Sequence, residues 1–112
     1  MLEVTTAKKD EATIVSIKGD VDLYSSPQVR KTIIALTGKK TPAILVNLTE
    51  VGYMDSSGVA TLVEGLQQVG KYKGKFKLFG LAPAVREVFE LSRLDKVFEI
   101  HKDEAAALAS LS

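Results

Sequence analysis

The chain has 112 residues, with 15 basic and 14 acidic side chains, one histidine, no cysteine and 46% hydrophobic residues. That size and apolar content fit one globular domain over residues 1–112, and a formal charge of +1 provides no global field toward nucleic acid or a membrane surface. Lack of cysteine excludes disulfides and thiolate chemistry, the lone His101 builds no zinc cluster, and no apolar run nears the ~20 residues of a membrane span or has the layout of a leader, so the cytoplasm is the expected compartment.

Leu2, Val4 and Thr6 alternate with Glu3 and Thr5, which predicts a first strand that ends at the charged turn Lys8-Lys9-Asp10-Glu11. From Thr13, the residues Val15, Ile17 and Val21 share one parity and Ser16, Lys18, Asp20 and Asp22 the other, the pattern of a strand with one wet face. Gly19 interrupts it, so Gly19-Asp20-Val21-Asp22 is expected to leave the sheet with both carboxylates outward. Ser26-Pro27 reads as a cap followed by the first helical residue, with Val29, Ile33 and Leu36 as the buried stripe and Gly38 as a left-handed terminator.

Ala43-Ile44-Leu45-Val46-Asn47-Leu48 is apolar on both faces, which predicts a central strand of a sheet covered on both sides. Strand then gives way to helix at Asp55-Ser56-Ser57-Gly58-Val59-Ala60. Asp55 is the predicted N-cap, Met54 and Val59 a hydrophobic staple, and Ser56 the first helical residue with its hydroxyl outward. Gly58 places no side chain over the first turn, which would open that hydroxyl to a protein partner, with Tyr53 as a nearby anchor. Val59, Leu62, Val63 and Leu66 carry the helix to about Lys71. Lys75 to Phe79 alternate as a strand ending at Gly80, Pro83 opens a helix with Val85, Val88 and Phe89 on one face, and Val97, Phe98 and Ile100 form a last short strand. Asp103 caps a final helix that sets Ala105, Leu108 and Leu111 against the body. The order is two strands, a helix, then three strand-helix pairs, an α/β domain with a mixed, mostly parallel five-stranded sheet and about four helices.

Three other patterns carry less. Gly65 to Lys71 match seven positions of a phosphate-binding loop, but Tyr72 replaces the final Ser or Thr and the stretch lies late in a helix, where its N–H groups are already bonded. Lys71, Lys73, Lys75 and Lys77 read as a solvated turn and strand face, so no nucleic acid is expected as a partner. Ser56 has no base in sequence reach, since His101 follows the last strand and Gly-x-Ser-x-Gly is absent, so no catalytic residue, metal or cofactor is expected.

Gly19-Asp20-Val21-Asp22, the Asp55-Ser56-Ser57-Gly58 junction and the five-strand, four-helix order together resemble the STAS domain family, and within it the bacterial anti-sigma factor antagonists. The resemblance spans essentially the whole chain. It implies that the serine after the aspartate, here Ser56, is phosphorylated by an anti-sigma factor that is also a serine kinase, and that a metal-dependent serine phosphatase removes the mark. Only the unmodified form would capture the anti-sigma factor and so free a sigma factor. The family's second-strand loop often reads Gly-Glu-Leu-Asp, and this chain has the shorter Asp20 in the first acidic place.

A phosphate on Ser56 would meet free N–H groups and the positive end of the helix dipole, so the helix should survive while the added charge, beside Asp55 and near Asp20 and Asp22, breaks an interface. Asp20, Asp22, Tyr53, Asp55, Ser57 and Gly58 are the expected partner-binding residues. The rival readings are a constitutive scaffold subunit of a transporter or signalling complex and a nucleotide-binding STAS domain. Insertion into a membrane is not expected.

Overall fold

The computed structural model of the protein describes residues 2–111, which form five strands and four α-helices in the predicted order. The strands are β1 (Glu3–Lys9), β2 (Ala12–Lys18), β3 (Ala43–Glu50), β4 (Lys75–Phe79) and β5 (Glu99–His101). The helices are α1 (Ser26–Gly38), α2 (Ser56–Lys71), α3 (Pro83–Leu91) and α4 (Glu104–Ala109), with a single 3-10 turn at Leu94–Lys96. The sheet runs in sequence order, with β1 antiparallel to β2 and every later pair parallel.

β3 lies at the centre, as its two-sided apolar character requires. Its Ile44, Val46 and Leu48 join Val29 and Ile33 of α1, Val59, Leu62 and Val69 of α2, and Val85 and Phe89 of α3 in the main core. On the opposite face Ala43 and Leu45 meet Ala12, Ile14, Phe79 and Ala107, with Leu108 and Leu111 packed against them. Three helices thus cover one face, and the short α4 covers part of the other.

Several local expectations change. No side chain caps α1: Ser25 occupies the cap position, Ser26 is buried, and the Asp22 carboxylate accepts the N–H groups of Tyr24 and Ser25 just ahead of the helix. Gly38 keeps a helical place, and the left-handed residue is Lys40 (φ 57°), because the Thr41 N–H (3.1 Å) and hydroxyl (2.8 Å) both close on the Leu36 carbonyl. β5 starts at Glu99, since the Val97 and Phe98 N–H groups bond back to Leu94; Val97 is exposed and Phe98 stacks edge-on against Phe89 with centroids 5.5 Å apart. In α4 the buried residue is Ala107, whereas Ala105 is exposed.

The largest departure is Lys77, read from sequence as solvated and found buried on the α4 face of the sheet. Its Nζ donates to Ser110 Oγ at 2.7 Å and pairs with Glu99. That ammonium, with His101 alongside, holds the Glu99 carboxyl below its usual range. A lysine can lie this deep because its charge has a carboxylate and a hydroxyl within reach.

Gly65 settles the fate of the phosphate-loop pattern, because it lies inside α2 and faces inward. A Cβ there would come within 2.9 Å of Ile33 Cγ2 and of the Phe76 ring, so the glycine is what lets α2 settle between α1 and β4. Gly65→Ala is expected to cost about 1–2 kcal/mol of stability despite its better helix propensity. Gly70→Ala, whose methyl would meet nothing within 4 Å, is expected to gain about 0.5–1 kcal/mol. Urea denaturation of the two variants beside the wild type checks both signs.

Candidate functional site

Two loops meet beyond the carboxyl ends of β2 and β3. Gly19, at φ 117°, turns the chain out of β2 and its N–H donates to the Glu50 carbonyl at 3.1 Å. Val21 then forms a single parallel bridge with Met54: the Val21 N–H donates to Tyr53 O at 2.9 Å and the Asp55 N–H donates to Val21 O at 3.1 Å. The side chains of Val21 and Met54 are buried, so the bridge is anchored in the core.

Asp55 caps α2 as its sequence position predicts. One carboxylate oxygen accepts the Ser57 N–H at 2.9 Å, the Ser57 hydroxyl at 2.5 Å and, more distantly, the Gly58 N–H at 3.4 Å. The Ser57 hydroxyl foremost, with the Ser57, Gly58 and Leu23 N–H groups, holds this carboxyl below the usual range. Ser57 is therefore engaged through both its amide and its hydroxyl. The Ser56 hydroxyl is different, being exposed and without a hydrogen bond among the described residues. The free N–H groups expected for a phosphate are in part taken, since Asp55 already holds those of Ser57 and Gly58.

Gly58 is needed for a reason other than access from outside. It is buried, and a Cβ there would stand 2.7 Å from both Met54 Cγ and Val21 Cγ1, so its bare backbone lets the helix start sit on the Val21–Met54 bridge. Asp22 also turns inward: its Oδ1 accepts the N–H groups of Tyr24 (2.9 Å) and Ser25 (3.0 Å), while Ser25 Oγ accepts the Asp22 N–H and donates to the Asp20 carbonyl. Of the two predicted acids only Asp20 keeps an exposed carboxylate, which lies over Gly52.

Tyr53 is half-exposed, and sequence reading did not single out two other large exposed side chains at this end of the molecule. Leu23 (67% exposed) and Tyr24 (90% exposed) stand on the other loop, tied to the α2 start by the Leu23 N–H that faces Asp55. The signal was present: Leu23 and Tyr24 fall between a strand and a helix, outside either apolar stripe, where large side chains have no core to enter.

The sequence profile of the STAS domain matches residues 3–107. The chain belongs to the STAS domain family. It is 29% identical over 90 residues to the anti-sigma-B factor antagonist of Listeria monocytogenes, covering 80% of this chain and 79% of that protein. A crystal structure of an anti-sigma factor antagonist from Mycobacterium paratuberculosis superposes with a TM-score of 0.91 at 26% identity, covering 98% of this chain and 93% of that one. The Bacillus cell fate determinant SpoIIAA in its phosphorylated form shares the fold, with a TM-score of 0.76 at 21% identity over 98% of this chain and all of that one. Among the described residues no helix is long and apolar enough to cross a membrane, and no group of three metal-ligating side chains converges.

Because its folded-state pKa is lowered, the Asp55 carboxylate contributes stability to the STAS domain that is complete above the ordinary aspartate range and fades as pH falls through the folded value. Asp55→Ala is therefore expected to melt several degrees below wild type at pH 7, and the gap should shrink below about pH 4. Asp55→Asn, which keeps an acceptor oxygen, should retain most of the wild-type melting temperature. Thermal melts of the three proteins from pH 7 to about pH 2.5 check the sign.

Proposed function

We propose that this STAS domain is a phosphorylation-controlled anti-sigma factor antagonist in which Ser56 is the modified residue. One observation carries the reading: of the two hydroxyls at the helix start, Ser57 is bound to Asp55 and Ser56 alone is exposed and free. A kinase active site needs an unencumbered hydroxyl oxygen, and a rigid helix start presents it without local unfolding. The existence of a phosphorylated form of the fold-related SpoIIAA supports the same chemistry here.

The unmodified face would bind an anti-sigma factor that is itself the serine kinase, using Tyr53 with Leu23 and Tyr24 as apolar anchors and Asp20 as the outer acid. Asp55, Ser57 and Gly58 hold the helix start that presents Ser56, and Asp22 shapes the loop beneath Leu23 and Tyr24. Phosphorylation adds about −1.5 to −2 charges at neutral pH. The phosphate meets the positive helix end but also the Asp55 carboxylate, whose grip on two N–H groups denies it those partners. The fold tolerates this at an exposed position, while a partner surface matched to a neutral hydroxyl does not. A hundredfold loss of affinity needs only about 2.7 kcal/mol. A serine phosphatase restores the hydroxyl, and the exchange takes place in the cytoplasm, where sigma factors act.

Phosphosite mapping of the protein from its own cells should find one phosphate on Ser56, absent from a Ser56→Ala copy. Ser56→Asp should keep the wild-type melting temperature to within a few degrees and bind the anti-sigma factor about a hundredfold more weakly by titration calorimetry. Unchanged affinity of Ser56→Asp overturns the switch. Absence of phosphate under every growth condition, with wild-type behaviour of Ser56→Ala, favours a constitutive scaffold.

A further inference from the structure

The two edges of the sheet differ in kind. β5 is a three-residue edge, too short to template much pairing, whereas β1 pairs with β2 along all seven residues in unbroken register and leaves its other side open. β1 contains no proline and no bulge, and its middle, Thr5-Thr6-Ala7, is uncharged and exposed. Proteins commonly block long edges with such devices. Here the charges sit only at the ends, Glu3 at one and Lys8-Lys9 at the other.

That arrangement is self-complementary. We propose that β1 pairs with β1 of a second copy of this chain, antiparallel about a twofold axis at Thr6, which joins two five-stranded sheets into one of ten. In this register Glu3 stands opposite Lys9 of the second copy and Val4 opposite Lys8, each pair occurring twice, with Thr5 opposite Ala7 and Thr6 opposite its own symmetry mate. Directly opposed residues point to the same face, so the Glu3–Lys9 pairs lie on the side that carries α4. On that side Glu50 already pairs with Lys18, Lys18 stands across from Glu3, and Lys9 pairs with Glu104. Joining the copies extends these into one row of alternating sign: Glu50, Lys18, Glu3, then Lys9 and Glu104 of the second copy. Parallel pairing in register would set lysine against lysine and glutamate against glutamate, and antiparallel registers shifted by two residues lose the Glu3–Lys9 pairs. The charges thus select one register.

The geometry has a consequence for the Ser56 face. β2 and β3, whose carboxyl ends carry that face, run oppositely in the two copies, so the two Ser56 sites stand at opposite ends of the joined sheet and each stays open. The proposal does not depend on what binds there.

The cysteine-free sequence makes the test direct. Across the twofold axis the two Thr6 Cα atoms would be about 4.5–5.5 Å apart, within disulfide range, while the two Glu3 positions would be roughly 20 Å apart. Sedimentation equilibrium of the full chain from micromolar to millimolar concentration should show a monomer–dimer equilibrium. Under mild oxidation Thr6→Cys should form a covalent dimer, and Glu3→Cys should not. Glu3→Lys should raise the dissociation constant about tenfold or more, with an unchanged circular dichroism melt showing that the variant is folded. A monomer at every concentration overturns the proposal, as does a dimer in which Glu3→Cys cross-links as readily as Thr6→Cys.

Discussion

The backbone bridge between Val21 and the Tyr53–Asp55 segment is the contact on which the rest of the candidate site depends. Two hydrogen bonds, Val21 N–H to Tyr53 O and Asp55 N–H to Val21 O, join loops that are more than thirty residues apart in the chain. They fix where Asp55 stands, and Asp55 in turn caps α2 and fixes Ser57. The hydroxyl of Ser56 is left free because its neighbour has been taken. Removing side-chain bulk at Gly58 is part of the same construction, since the helix start rests directly on Val21 and Met54.

This end of the molecule combines a rigid base with an exposed, mixed surface. Leu23, Tyr24 and Tyr53 offer apolar area that the protein's own core does not use, and Asp20 adds an outward charge. Asp22 and Ser25 spend their polar atoms on each other and on nearby backbone, which holds Leu23 and Tyr24 in a defined loop. On the proposed phosphorylation of Ser56, the added charge would change what can dock without disturbing what holds the surface up. Interfaces respond to a misplaced dianion far more sharply than an exposed helix end does.

The sheet is asymmetric in its cover. Three helices bury one face, while the other depends on the six-residue α4, held by Ala107, Leu108 and Leu111 and by Lys77 reaching Ser110. Beyond α4 the open face carries Ser16, Asn47, Lys18 and Glu50, polar and charged groups that bond to one another. The parallel strands therefore need no second full helical layer.

The order of strands and helices, the central place of β3, the Asp55 cap and the outward Ser56 were legible in the sequence because each is set by neighbours within a few residues: apolar periodicity, a capping side chain, a glycine that ends a strand. Strand order was not, since nothing local says which strand lies beside which. Lys77 looked solvated because alternation reports one strand at a time, and its burial depends on Glu99 and Ser110, contributed by later segments. Gly58 looked like an opening toward solvent for the same reason, its true neighbours being Val21 and Met54. Asp22 turned inward, and Leu23 and Tyr24 came to the same end of the molecule as Tyr53, only once the two loops were joined by a bridge that neither loop contains alone. Local chemistry placed the serine, and contacts between distant segments built the surface around it.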